Sequence, residues 1–344
     1  MKIVIPVIIL NWNGINDTIK SVNSVLNQTY KNFRIYLADN NSDNDEGLRL
    51  ENLFKSNEKI KVIHFEDNFG FTKAHNFIFN NFILNNDNYN FVALLNNDAF
   101  ADKNWLETLV KTAEKTNANI ISSKMIQYFD KYLLDNAGHL MLNTAEIVPI
   151  GYDSSINKHN NSKSNFGACG GACLYNVKML KDIGVFDSNF TTGYEDAELG
   201  VRAIVCGYNS IYEPNAIVHH KGGQSLNKVR NEAYHIQIQR NIFYSYFKLM
   251  PTMVILINLP FFILKYSLVL IIDIVFRRRK YFNRMWKAIK HTIIDDRKKI
   301  IIARQQFHKK FQTISSYSIM KKTTFFLWFD IKRFYKYIIL KPKY

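Results

Sequence analysis

The sequence predicts an α/β fold: a Rossmann-like, doubly wound and mostly parallel sheet with a helical C-terminal appendage. Three observations predict it. Short apolar runs alternate with helical stripes from Ile3 to Ser122, those runs end in clusters of Asn and Asp, and the net charge of +16 is gathered at one end of the 344 residues.

Ile3 to Leu10 reads as a buried strand, with Pro6 tolerated near its start or on an edge, and Asn11 to Gly14 turn the chain. Ile19, Val22, Val25 and Leu26 then give Ile15 to Leu26 a helical stripe. Phe33 to Ala38 is a second strand, closing in Asp39, Asn40, Asn41, Ser42 and Asp43. A helix over Glu46 to Ser56 and a strand from Lys61 to Phe65 complete a strand–helix series that right-handed crossovers turn into a parallel sheet. Asp67 to Phe71 holds a glycine turn, and a helix follows from Thr72 to Leu84.

Phe91 to Phe100, FVALLNNDAF, places Asp98 where a buried strand meets solvent. That is where an open α/β sheet keeps its chemistry. Trp105 to Thr116 has helical spacing and Asn119 to Ser122 is a further strand. Tyr128 to Asn165 reads as hairpins and a mobile loop. Order resumes with a strand over Gly167 to Tyr175 and a helix over Lys178 to Ile183. Another helix opens at Gly193, Tyr194, Glu195 and Asp196 and runs to Cys206, before a strand pair from Ser210 to Val218 and a turn at His219.

Charge divides the chain into domains at 1–240 and 241–344. Residues 1–239 carry 22 Lys and Arg against 25 Asp and Glu, a net of −3, whereas residues 240–344 carry 23 against 4, a net of +19. Within the basic part, Pro251 to Phe276 is almost wholly apolar and is followed by Arg277, Arg278, Arg279 and Lys280. Apolar residues beside a cationic cluster suit an anionic bilayer leaflet, and nucleic acid has no use for the apolar half. Pro260, Lys265 and Asp273 interrupt the run and predict two helices lying in the interface, peripheral or monotopic, although 26 residues could also span. Met1 to Leu10 is too short and too soon polar for a signal peptide. Cys169, Cys173 and Cys206 lack metal-ligand spacing and an even count, which points to buried thiols in a reducing setting.

Six residues at four places along the chain carry candidate chemistry. Asp39 could accept hydrogen bonds from a pyrimidine imide or from ribose hydroxyls, or could satisfy the backbone of its own turn. Asp98 suits a hard cation, Mg²⁺ or Mn²⁺, whose shell is completed by water and phosphate oxygens. His219 and His220 could add an imidazole nitrogen, or be one core and one exposed histidine. Glu195 and Asp196 open a helix, where capping and the macrodipole alone would favour acids. One carboxylate to hold metal and diphosphate and another to remove a proton would be the minimum kit for transferring a group from a nucleotide.

The motifs VIILNWNG (Val7 to Gly14), LADNNSDN (Leu37 to Asn44), NFGFTKAHN (Asn68 to Asn76), LLNNDA (Leu94 to Ala99), GYEDAELGVR (Gly193 to Arg202) and HHKGGQS (His219 to Ser225) resemble, in order, the inverting family 2 glycosyltransferases of GT-A fold, and in particular the rhamnosyltransferase-type branch. The resemblance covers about Ile3 to Asn241. It implies that Asn11 and Asp39 hold the donor's base and ribose, that Gly70 and Asn76 belong to the nucleotide pocket, and that Asn97 also meets the nucleotide sugar. Asp98 would touch a divalent ion on the diphosphate, joined by His219 or His220, although Asn96 stands where the family's first acid is found. Asp196 would be the general base, with Glu195 orienting it or the acceptor. The partners implied are a nucleotide-diphosphate sugar and a glycan or polyprenyl-linked glycan, at the cytoplasmic face of the inner membrane.

Two rival readings remain at this point. A sugar-nucleotide-binding scaffold in a membrane polysaccharide assembly complex would keep the pocket without transfer. A nucleotidyltransferase would want a Gly-rich, basic phosphate loop near the N-terminus, and Asn11 to Asp17 offers one glycine and no basic residue.

Overall fold

The computed structural model describes residues 3–190, 193–222 and 231–335. They form two compact units, the first made of residues 1–139 and 149–231 and the second of 140–148 and 232–344. The expected division at 240/241 falls inside a continuous helix, Glu232–Leu249. Charge marks where composition changes, whereas the fold divides before that helix and gives residues 140–148 to the second unit.

The first unit is built on a mixed sheet with ten strands among the described residues: eight follow the order β10-β12-β6-β11-β4-β1-β2-β3, β5 pairs with β12, and β7 pairs with β6. Its N-terminal half follows the sequence expectation: β1 (Ile5–Asn11), α1 (Ile15–Leu26), β2 (Phe33–Asp39), α2 (Glu46–Phe54), β3 (Ile60–His64), α3 (Gly70–Ile78) and β4 (Phe91–Leu95). Strands β4, β1, β2 and β3 are parallel, and β1 lies between β2 and β4. The β1–β2 register sets Asn11 opposite Asp39, so the polar ends of two buried strands share one level. Val7, Ile9, Ile35, Leu37, Ala93 and Trp105 are among the side chains of the core beneath them.

Beyond β4 the sheet departs from the mostly parallel expectation. β5 (Ala99–Ala101), α4 (Trp105–Thr116), β6 (Ile120–Gln127), β7 (Leu134–Asn136), β8 (His139–Met141), β9 (Ile147–Pro149) and β10 (Lys163–Ser164) follow in the chain, then β11 (Ala172–Asn176), α5 (Val177–Ile183), α6 (Glu195–Val205) and β12 (Ser210–His220). β11 runs antiparallel to both β4 and β6 because it starts at the end of the sheet where β4 finishes, with Ala172 opposite Leu95. The expected strand pair over Ser210 to Val218 is one long strand whose register shifts between Glu213 and Ile217.

In the second unit the expected two helices over Pro251 to Phe276 are one helix, Thr252–Val275, with Pro260 inside it. Proline forfeits a backbone bond to the carbonyl four residues back. Here Val254 and Asn258 on one side of Pro260, and Lys265, Tyr266 and Asp273 on the other, are all buried, and that shared buried face keeps the two halves in one helix. The face is inverted relative to a soluble helix. Its buried stripe carries Asn258, Lys265 and Asp273, while Leu256, Ile263, Leu264, Ile271 and Ile274 are exposed. The helix is long and apolar enough to cross a membrane by length and composition, and only 17% of its most apolar window is buried.

Candidate active site

Two polar centres form at the ends of the central strands. The first surrounds Asp39. Asn11 donates to Asp39 Oδ1 at 2.7 Å, and also reaches Ser42 Oγ at 3.1 Å and Glu46 Oε2 at 3.0 Å. Ser42 gives Asp39 a backbone N–H at 3.1 Å and its hydroxyl at 2.7 Å. Glu46 in turn accepts from the N–H groups of Gly14 and Ile15, which satisfies orphan donors at the start of α1. A Cβ on Gly47 would lie 2.8 Å from His64 Nδ1 and 2.9 Å from Asp39 Oδ2, so a larger residue would displace one of these side chains. Asn97 donates to Thr18 Oγ1 at 3.2 Å and Thr18 donates to Asn11 Oδ1 at 2.5 Å, which wires the end of β4 to the end of β1.

The second centre surrounds Asp98. β5 pairs with β12 so that His220 faces Ala99 and His219 faces Phe100. Alternation along the strand sends the two histidines to opposite faces. His220 Nε2 lies 3.2 Å from Asp98 Oδ1, while His219 Nε2 lies 3.5 Å from Asp102 on the other side. His219 is therefore not brought to Asp98, and the imidazole of this centre is His220 alone. Its Nδ1 is 2.8 Å from Asp135 Oδ2. Burial by itself would lower the pKa of His220, but the Asp135 and Asp98 carboxylates outweigh it and raise it to about 10.

These residues fit a divalent ion. His220 Nε2 is buried 3.2 Å from Asp98 Oδ1, and a divalent ion between them would take the place of the Nε2 proton. Two neighbouring ligands of an octahedral ion at about 2.1 Å sit about 3 Å apart, close to the observed separation. Asp135 on the far ring nitrogen is the kind of partner that fixes a ligating histidine. Among the described residues no group of three or more His, Cys, Asp or Glu side chains converges as a metal site, so water and a substrate's own oxygens would complete the shell.

Asp196 and Glu195 open α6. Asp196 accepts from the N–H groups of Gly170 at 2.7 Å and of Ala197 at 2.7 Å. The next residue, Gly171, accepts from Asn96 N–H at 2.8 Å. A single glycine pair thus fastens both the carboxylate of α6 and the loop that carries Asp98. Glu195 is buried with Oε2 unpaired, and burial first, then the charge of Asp196, pushes its pKa up to about 8. His139 is also buried with Nδ1 unpaired. Burial lowers its pKa, opposed by the charge of Asp196. The thiol of Cys169 is pushed well up, by burial and then by Asp196 and Asp135, which leaves it an unreactive neighbour.

The other expected residues take structural places. Gly70 begins α3 with φ of +69°, where a side chain would be strained. Asn76 exchanges two hydrogen bonds with the backbone of Phe186, donating to its carbonyl at 2.8 Å and accepting its N–H at 3.1 Å. These bonds tie α3 to the chain after α5. Of the HHKGGQS motif, residues 223–225 lie outside the described residues.

Reasoning from sequence missed Asp135, Glu46, Gly47 and His139. Asp135 and His139 sit in a stretch without readable periodicity, whereas Glu46 and Gly47 open a helix and look like ordinary surface residues. Glu198 and Arg202, four residues apart on α6, form a buried ion pair. Arg202 donates to Glu198 at 2.8 Å and to the carbonyls of Ile183, Gly184 and Val185.

The chain is 22% identical over 128 residues to the glycosyltransferase GlyG of Streptococcus pneumoniae, covering 37% of this chain and 41% of that one. It is 34% identical over 113 residues to an uncharacterized glycosyltransferase of Rickettsia conorii, covering 33% and 18%. Across four curated relatives the matched stretch spans 18% to 41% of the relative's length. A solved structure of GalNAc-T7 with UDP, GalNAc and Mn²⁺ superposes with a TM-score of 0.56 at 17% identity, over 71% of this chain and 47% of that one, a likeness of fold. The model of glycosyl transferase family 2 matches residues 7–184, more than half of the chain, and the chain belongs to that family.

Proposed function

We propose that this protein is an inverting glycosyltransferase that moves a sugar from a nucleotide-diphosphate donor to a hydroxyl of a glycan or polyprenyl-linked glycan. Rhamnose is the first sugar to test. The single observation that carries the reading is the Gly170–Gly171 pair, which holds Asp196 by one N–H and the Asn96–Asp98 loop by the neighbouring carbonyl. A base and a diphosphate anchor held on one rigid connection meet the positioning demand of a direct displacement.

In this mechanism Asp196 takes the proton of the acceptor hydroxyl as its oxygen attacks the anomeric carbon from the face opposite the diphosphate. The bond from that carbon to the diphosphate oxygen breaks, its electron pair leaves with the diphosphate, and configuration inverts. Mn²⁺ or Mg²⁺ on Asp98 and His220 would supply positive charge where the leaving group develops its own. Asp135 keeps the ring of His220 turned to Asp98, and the network of Asn11, Ser42 and Glu46 keeps Asp39 oriented for the nucleoside. Glu195, kept neutral by its surroundings near pH 7, can donate a hydrogen bond to the acceptor without competing for its proton.

The C-terminal unit serves to keep the protein at the cytoplasmic face of the inner membrane, in cell-surface polysaccharide synthesis. Support for this comes from its exposed apolar helix face beside Arg277, Arg278, Arg279 and Lys280. The deciding experiment incubates purified protein with a panel of nucleotide sugars and Mn²⁺ and follows which donor is consumed. No consumption of any donor, with and without lipid-linked acceptor, would sink the reading.

A further inference from the structure

The helix Thr252–Val275 is long enough to cross a bilayer, and the contacts within the second unit bear on whether it does. Its exposed positions recur every three or four residues, from Met253 through Leu256, Pro260, Ile263 and Ser267 to Ile271. They make one stripe along about 36 Å of helix. The buried stripe is polar, and its charges are paired. Lys265 lies 3.2 Å from Glu146 and 3.0 Å from Asp330, Arg333 lies 2.7 Å from Glu146, and Asp273 lies 3.4 Å from Arg278.

The chain before this helix is bonded to the chain after it. Glu232 is 3.4 Å from Lys287, Arg240 Nε donates to Asp296 at 2.9 Å, and Arg304 donates to the carbonyls of Phe247 at 2.8 Å and Met250 at 2.5 Å and to Thr252 Oγ1 at 2.9 Å. A crossing helix would put Thr252 and Arg277 in opposite leaflets. Arg304 could then reach Met250 and Thr252 only if residues 277–304 crossed back, and these contain eleven Lys and Arg. Lys265 and its partners, near the middle of the helix, would also lie near the bilayer centre. Ionised groups are expensive at that depth. Laid flat, the same helix turns its apolar stripe to lipid and keeps the paired charges on its other face.

Charge says what covers the stripe. Residues 240–344 carry 23 Lys and Arg against 4 Asp and Glu, which draws the unit to anionic headgroups and opposes a second copy of the same face. We propose that Thr252–Val275 lies in the plane of one leaflet of an anionic bilayer, with its apolar stripe toward the acyl chains and both ends on the same side. The inference rests on the reading that this unit meets a bilayer, and adds that the helix does not cross it.

The test uses the full chain carrying an environment-sensitive fluorophore on Met253→Cys, Leu264→Cys or Val275→Cys. All three positions are exposed, and steps of eleven residues, about three turns, keep them on one face. Cys169, Cys173 and Cys206 are buried or half-buried, and wild type treated alike gives the background. Each protein is reconstituted by detergent removal into vesicles of phosphatidylglycerol and phosphatidylcholine, and label depth is read from quenching by spin-labelled lipids. The three labels should share one depth, roughly 5–10 Å into the boundary of headgroups and chains. A label at 264 about 15 Å deeper than those at 253 and 275 is the pattern of a span and overturns the proposal. Vesicles of phosphatidylcholine alone should bind the chain at least about tenfold less, and equal binding removes the anionic surface as the occupant. If the protein sediments with anionic vesicles but shows the depths of a span, this inference alone fails; if it does not sediment, the membrane reading fails with it.

Discussion

His220 is held between two carboxylates, Nδ1 at 2.8 Å from Asp135 and Nε2 at 3.2 Å from Asp98, so a residue far from both in sequence decides which nitrogen faces the strand-end acid. If Asp98 and His220 bind a divalent ion, Asp135 acts only by fixing the ring. Asp135→Asn should weaken Mn²⁺ binding by about 10–100-fold and leave the melting temperature of the ion-free protein within a few degrees. Titration of Mn²⁺ by calorimetry checks this. His219→Ala, on the opposite face, should leave Mn²⁺ affinity at the wild-type value, and an equal loss in the two variants would break the assignment.

The Asp196 carboxylate accepts one backbone N–H on each oxygen, from Gly170 on Oδ2 and from Ala197 on Oδ1, so Asp196→Asn keeps the side chain's shape and one of these bonds while removing the proposed base. Donor affinity should stay within about twofold and the turnover number should fall by about 10²–10⁴-fold. Equilibrium binding of the donor nucleotide, compared with single-turnover transfer, separates the two effects. Undiminished turnover would remove Asp196 from the mechanism.

Glu195 makes stability depend on pH in a direction opposite to that of most carboxylates. Its folded pKa is raised from the ordinary 4.5 to about 8. The folded state therefore binds the extra proton between these values, and stability is full below pH 4.5 and lost as pH rises through 8. Glu195→Gln mimics the neutral form and should flatten that decline, so that the variant is more stable than wild type at pH 8 and close to it at pH 5. Urea unfolding at both pH values is the measurement, and parallel curves for the two proteins would contradict the neutral form.

Much of the nucleotide half was legible because its signals are local. Strand runs such as Val92 to Leu95 end where polar residues begin, and the stripe of α1 is readable from Ile19, Val22 and Val25 alone. The direction of β11 was not legible, because it depends on Gly170 and Gly171 being fastened between α6 and the end of β4. The choice between His219 and His220 needed the β5–β12 register, and β5 is only three residues long. That Asn76 ties α3 to Phe186, 110 residues away, could not be read from its motif. Pro260 read as a break because its neighbours' burial could not be seen.

Arg202 is the anchor that sets where α6 begins and so where Asp196 stands. Glu198 is fully buried, Arg202 is 5% exposed, and the guanidinium joins that carboxylate to three successive carbonyls at the C-terminal end of α5, those of Ile183, Gly184 and Val185. Removing one member leaves the other charge buried without its partner, a cost of about 3–5 kcal/mol. Arg202→Ala should therefore lower stability by that amount, whereas Arg202→Lys keeps the charge but not the three-carbonyl fork and should fall between. Gly200 reports on the same interface without altering charge. A Cβ there would lie 2.3 Å from the carbonyl oxygen of Phe166, so Gly200→Ala must push α6 away from the segment that leads to Gly170. The expected stability loss is about 1–3 kcal/mol, and the displacement should weaken the Gly170–Asp196 hydrogen bond. In Gly200→Ala turnover should then fall while donor affinity holds, since Asp39 and Asp98 are carried by other elements. Kinetics and donor titration on the folded variant test this, and unchanged turnover alongside a measured loss of stability would show that α6 does not position the base.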